Sequence, residues 1–345
     1  MEKNIQEYFG QTIMPLLRSR HSDILSEASI MILGSVGLHI EDEFSDMEAV
    51  LYLPDRIWKQ NGALQIELEE CLAKTNPWKQ EGMVNGSIIC VHPLSWMLDF
   101  QGEKMLSNGG DIQWEKLSFE SLFTMQENLI YYDPQERFGR LRRWTAPDRM
   151  PGSLWKKAIY EKLKDFVQGG VRAIEISVAR RLFAAAYIQF GRTLQTLYEL
   201  GFLICHRYYP YLKHLRWAFS RLPEPISALG PYFDKLSATR DWQERLAILE
   251  TVYEAYKAFI VSHSIFPEID FERIDLHDMR IHTDLGHANW FKAWENPDWR
   301  ERLDALKEKT VQLGYAPDMW WIVDWFGMGA VSYTHLDVYK RQGPA

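Results

Sequence analysis

Apolar positions near the start of the chain recur at helical spacing: Ile5, Tyr8, Phe9, Ile13, Leu16 and Leu17 predict an amphipathic helix within residues 4–28. The run from Ala28 to Leu33 is short, apolar and closed by Gly34-Ser35, the pattern of a buried strand entering a turn. Glu41-Asp42-Glu43-Phe44-Ser45 then reads as a polar loop, and Asp46 to Leu53 as a strand stopped by Pro54. A helical stretch follows from Arg56 to Lys74. Gly86 to His92 gives a third strand, and Asn128 to Tyr132 a fourth, closed by Asp133-Pro134. Strands separated by helices, all before residue 140, predict a small mixed α/β domain.

The period changes after the loop Trp144-Thr-Ala-Pro-Asp-Arg-Met-Pro-Gly-Ser153. Beyond it the long segments repeat every three to four residues. Trp242, Leu246, Leu249, Tyr253, Tyr256 and Ile260 mark one helical face. Helices are expected at 153–168, 171–206, 209–221, 241–263 and 298–313, with Gly169-Gly170, Pro210, Pro223, Pro225 and Pro267 as punctuation. The expected organisation is α+β: a mixed-sheet domain over 1–143, then an all-α bundle over 144–330.

Residues 331–345 are expected to be foreign to the fold. Asp337-Val-Tyr-Lys-Arg-Gln342 back-translates to GATGTGTATAAGAGACAG, whose reverse complement encodes Val-Ser-Tyr-Thr-His in another frame. That pentapeptide stands at 331–335, so the stretch has the character of a translated sequencing adapter.

Composition narrows the function. Lys and Arg number 39 against 47 Asp and Glu, a formal charge of -8, which disfavours a broad nucleic-acid-binding face. Hydrophobic residues at 46% and charged residues at 25% are those of a globular chain. The absence of a long apolar run argues against a membrane partner, and three cysteines without CxxC spacing suit a reducing cytoplasm. A cytoplasmic location is the expectation. The chain contains no Walker Gly-x4-Gly-Lys, no kinase Gly-rich loop with a following His-Arg-Asp, and no Gly-x-Ser-x-Gly elbow.

The informative chemistry lies between the first two strands. Gly34-Ser35 is followed, after ten residues, by Asp46-Met47-Glu48 and the apolar run Ala49 to Leu53. In a strand, residues two apart share a face, so Asp46 and Glu48 point together while Met47 points into the core. Paired carboxylates repel, and a divalent cation shared with a polyphosphate offsets that repulsion. A Gly-Ser turn lets backbone N–H groups and a hydroxyl approach phosphate oxygens closely.

This pattern resembles the signature of the nucleotidyltransferase superfamily, which includes the polymerase-beta-like and aminoglycoside nucleotidyltransferases. Asn128-Leu-Ile-Tyr-Tyr-Asp-Pro134, ahead of a helical domain, is similar to a bacterial subgroup that carries an all-helical domain of unknown function. The resemblance spans most of residues 25–225. It implies that Gly34 and Ser35 hold a nucleoside triphosphate, with ATP expected, and that Asp46 and Glu48 bind Mg²⁺ or Mn²⁺. It also implies a helical-domain lysine reaching the triphosphate, for which Lys213 in Tyr208-Tyr-Pro-Tyr-Leu-Lys213 is the candidate. The implied reaction moves a nucleoside monophosphate onto an acceptor hydroxyl of a small molecule or a protein. Enzymes of this superfamily carry a third carboxylate on the next core strand. Gly86-Ser-Ile-Ile-Cys-Val-His92 has no acid there, and Cys90 takes the place. Asp99 or Glu103 downstream is a substitute acid, and His92 a candidate base. The alternative is a catalytically silent nucleotide-binding or interaction module on the same fold; a third reading makes the α/β part only a scaffold.

Weaker candidates remain. Arg137, Arg140, Arg142 and Arg143 form either a solvated charge run or a seat for an anionic acceptor. His277, His282 and His287, with Asp275, Asp278 and Asp284, resemble metal ligands in composition, but spacings of five place them on no single helical face.

Overall fold

The computed structural model describes residues 4–78, 86–94, 112–266 and 297–312. The chain divides into two compact units, Met1–Met150 with Tyr208–His214, and Pro151–Arg207 with Leu215–Ala345.

The first unit is built on a four-stranded mixed sheet: β1 (Ser29–Leu33), β2 (Glu48–Leu53), β3 (Ile88–Pro93) and β4 (Ile130–Tyr132). The spatial order is β3-β2-β1-β4. β1 runs antiparallel to both β2 and β4, and β2 runs parallel to β3. A parallel pair needs a long crossover, and the helices Asp55–Gln60 and Ala63–Thr75 lie within it.

Alternation along the strands divides the core in two. Ile30, Ile32, Ala49, Leu51, Leu53, Ile89 and Val91 pack with Phe9, Ile13 and Leu17 from the N-terminal helices and with Leu64, Leu68 and Leu72. Met31, Val50 and Tyr52 face the other way, against Met125, Phe138 and Leu141. β3 is an edge strand, and its outer backbone is capped by side chains. The Gln65 amide donates to Ile89 O (3.0 Å) and accepts from Val91 N (2.6 Å), while Trp58 Nε1 donates to Val91 O (3.1 Å).

Asp133 closes the sheet onto the next helix, Arg137–Trp144. Its Oδ1 accepts from Ser29 Oγ (2.9 Å) and Arg137 N (3.0 Å), and its Oδ2 from Phe138 N (2.8 Å) and Gly139 N (3.2 Å). One carboxylate thus satisfies the start of a helix and a fully buried serine. Asp133→Ala is expected to lower unfolding free energy by at least about 2 kcal/mol, measured by urea denaturation.

The second unit is helical among its described residues. Gly152–Lys164, Ala173–Ala179, Phe183–Ile204, Gly230–Ala238 and Trp242–Ser262 are its principal helices, with Pro297–Gln312 beyond them. Gly169-Gly170 does not break the chain as expected: Asp165–Arg172 continues as π-helix. A Cβ on Gly170 would stand 2.8 Å from Thr193 Oγ1, so glycine permits close packing on Phe183–Ile204. The expected single helix over 171–206 is interrupted instead near Arg181, whose φ of 56° is left-handed. The helix Gly230–Ala238, opened by Pro231, has no counterpart among the expected elements. Among the described residues no helix is long and apolar enough to cross a membrane.

Candidate functional site

The site forms where β1 ends beside the start of β2. Gly34 follows β1 with φ 64°, a left-handed backbone that glycine adopts without strain. A helical turn, Gly34–Gly37, begins there, and Ser35 within it is buried. Leu33 is registered opposite Glu48, and a Cβ on Gly34 would lie 3.3 Å from Glu48 Oε2. The glycine therefore opens the space in which the Glu48 carboxylate sits.

Asp46 has a similar neighbour across the β2–β3 pair. Met47 N donates to Ser87 Oγ (2.9 Å) and Met47 O accepts from Ile88 N (2.8 Å), so pairing extends past the first registered residue, Glu48. A Cβ on Gly86 would overlap Asp46 Oδ2 and come within 3.2 Å of its Cγ. Met47 is fully buried in the core, while Asp46 and Glu48 are half-buried, as expected of alternation. Among the described residues neither carboxylate has a hydrogen-bond or ion-pair partner. Their oxygens are thus available to a hard cation, which commonly takes one or two carboxylates together with substrate phosphates.

The neighbouring acids are arranged differently. Asp42 Oδ1 accepts from Phe44 N (3.0 Å) and Ser45 Oγ (2.8 Å). The Ser45 hydroxyl, foremost, holds that carboxyl below its ordinary value. Asp42 thus shapes its own loop.

Cys90 is registered beside Val50 and lies on the same sheet face as Glu48. Burial pushes its thiol up, with the Glu69 and Glu48 carboxylates adding to the effect. A neutral, soft thiol is a poor ligand for Mg²⁺. His92 stands opposite Tyr52, four residues along β3 from Ile88, the partner of Glu48. That separation is about 13 Å of strand, too far for a base acting at the Glu48 carboxylate. Burial also holds its imidazolium below the ordinary range. Among the described residues no group of three His, Cys, Asp or Glu is placed to hold a metal.

Gly34, Ser35, Asp46 and Glu48 are thus gathered at one end of the sheet. Lys213 is exposed in the short turn Leu212–His214, within the segment grouped with the first unit. There Tyr208 Oη donates to Thr145 O (2.9 Å) and Tyr209 stacks on Phe119 at 5.3 Å. Asp99, Glu103 and the His277–His287 group lie outside the described residues. Arg137 pairs with Glu27 (2.9 Å), and Arg142 donates to the carbonyls of Met125 (2.7 Å) and Asn128, so both serve the fold. Gly86 is the site residue that sequence reasoning missed; its only signal is a glycine directly before a strand.

Residues 114–217 match the family described as Domain of unknown function (DUF4037). The matched stretch does not include Gly34, Ser35, Asp46 or Glu48. No curated protein matches the sequence. Among solved structures, a nucleotidyltransferase-like protein from Exiguobacterium sibiricum 255-15 is similar over 77% of this chain and 81% of its own, at 10% identity and a TM-score of 0.32. Neither match assigns a chemistry.

Proposed function

We propose that the chain binds a nucleoside triphosphate with Mg²⁺ at Gly34, Ser35, Asp46 and Glu48, and transfers a nucleoside monophosphate to an acceptor hydroxyl. One observation carries this reading: two half-buried carboxylates without partners among the described residues, each facing a glycine, beside a left-handed turn after a strand. The bare backbone at Gly34 and the Ser35 hydroxyl would position the β- and γ-phosphates. Asp46 and Glu48 would hold Mg²⁺, which supplies charge neutralisation at the transferring phosphoryl group. The acceptor oxygen forms a bond to the α-phosphorus, the bond from that phosphorus to the bridging oxygen breaks, and pyrophosphate leaves. The hydroxyl proton passes to solvent or to a base.

Cys90 favours a second reading, in which the same site binds nucleotide without turnover. Calorimetric titration of Mg²⁺-ATP, then of the other triphosphates, into the full chain tests the shared part. Binding that requires Mg²⁺ supports the site. Failure of a folded chain to bind any triphosphate overturns both readings. Pyrophosphate release during an acceptor screen would then favour the transferase over the silent module.

A further inference from the structure

Arg245 is an unusual residue in the helical unit. Elsewhere in that unit buried polar atoms are matched: Tyr256 Oη donates to Leu197 O (2.7 Å), and Lys162 Nζ meets Glu199 Oε2 at 2.5 Å. Arg245, on the helix Trp242–Ser262, is 5% exposed, and its Nε and Nη1 are buried without a hydrogen-bond acceptor. Its guanidinium carbon lies 4.5 Å from the Phe190 ring centroid, 4.6 Å from Trp242 and 5.2 Å from Tyr187. Ring faces return part of the lost hydration, but among the described residues no carboxylate pairs with this guanidinium.

The Tyr187 ring connects this cation to the surface. Tyr187 is 51% exposed, and Leu182, Phe183 and Ile188 beside it are 53%, 48% and 59% exposed. From Ala179 to Ile188 only Ala186 is buried, and Arg180 and Arg181 are exposed at the same corner. Large apolar side chains in consecutive exposed positions mark an interaction surface. Tyr, Trp and Arg grouped at its base are the residue types that dominate binding energy at interfaces.

We propose that this face of the helix Phe183–Ile204 docks an acidic protein segment. The segment lays apolar side chains across Leu182, Phe183, Tyr187 and Ile188 and brings a carboxylate to Arg245. Charge complementarity selects this occupant: Arg180, Arg181, Arg240 and Arg245 outnumber the acids Asp241 and Glu244 on the two segments that supply this face. A second copy meeting it with this corner at the two-fold axis would set arginines against arginines. The aliphatic Leu182 and Ile188 offer little to a nucleotide.

A random dodecapeptide library selected on the full chain tests the proposal, followed by anisotropy with the enriched peptides. The expected peptides carry Asp or Glu between apolar residues. Arg245→Met and replacement of the peptide's acid by its amide should each weaken binding about tenfold or more, with little further loss when combined. Arg245→Met should also melt at or above the wild-type temperature, since it removes a charge that has no anion among the described residues. Ile188→Glu, an exposed change, should abolish binding without altering the melt. Enrichment of peptides without acids, or a clear fall in melting temperature for Arg245→Met, would overturn the proposal. A wild-type dimer in sedimentation that Ile188→Glu dissociates would also overturn it, assigning the face to a second copy.

Discussion

Asp46→Asn is expected to weaken Mg²⁺-dependent triphosphate binding by at least about a hundredfold, because changes to residues merely supporting a metal ligand already cost about 10–100-fold. The same substitution should leave the melting temperature unchanged or slightly raised. Asparagine has the same shape, so it fits beside Gly86 as the aspartate does, and no hydrogen bond or ion pair to the described residues is lost with the charge. Removing one of two carboxylates on one strand face also relieves their repulsion. Glu48→Gln should behave alike. Gly34→Ala differs: at φ 64° a side chain costs about 1–2 kcal/mol, and its Cβ would press on Glu48 Oε2 from 3.3 Å. It should lower both stability and affinity. Calorimetry beside thermal unfolding separates the cases. An Asp46→Asn chain that binds Mg²⁺-ATP like wild type refutes the metal role, and one that melts far lower makes Asp46 a structural residue.

The strands were legible because both of their faces are covered, so each reads as a short apolar run closed by a turn or a proline. Ala28 to Leu33 reads as a strand, and Ser29–Leu33 forms one; Met47 points to the core between two acids, and is fully buried there. Helix interruptions were less legible, because backbone details set them. Residues 4–28 are broken by a π-helical stretch at Phe9–Ile13 and by His21, and the stretch from Arg56 to Lys74 is divided near Asn61 and Gly62. No periodicity records such defects. At the site, the carboxylate pair and Gly-Ser turn could be read locally, whereas the approach of Gly86 to Asp46 depends on β3 pairing with β2 across forty residues of chain. Arg245 shows the opposite limit. Its place on a helix was foreseeable, but three rings from two helices had to assemble before it could be recognised as a buried cation with no anion among the described residues.

Lys162→Met is expected to cost about 3 kcal/mol, the largest stability loss foreseen from removing a single charge in the helical unit. Glu199 is 3% exposed on Phe183–Ile204, so its carboxylate depends on protein partners rather than water. Two are present: Lys162 Nζ at 2.5 Å from Oε2, and Gln195 Nε2 donating to Oε1 at 2.7 Å. Among the described residues, removing the lysine leaves a single neutral donor for a buried anion. The Lys162 side chain is 26% exposed, so water already shares part of its charge, and the expected loss sits at the low end for breaking a buried pair. The pair as a whole need not stabilise the fold, because desolvating both ions opposes their attraction. The double change Lys162→Met with Glu199→Leu should therefore recover most of the loss. Urea denaturation of the two single variants and the double variant completes the cycle. Additive losses would show that Glu199 draws its support from elsewhere in the unit.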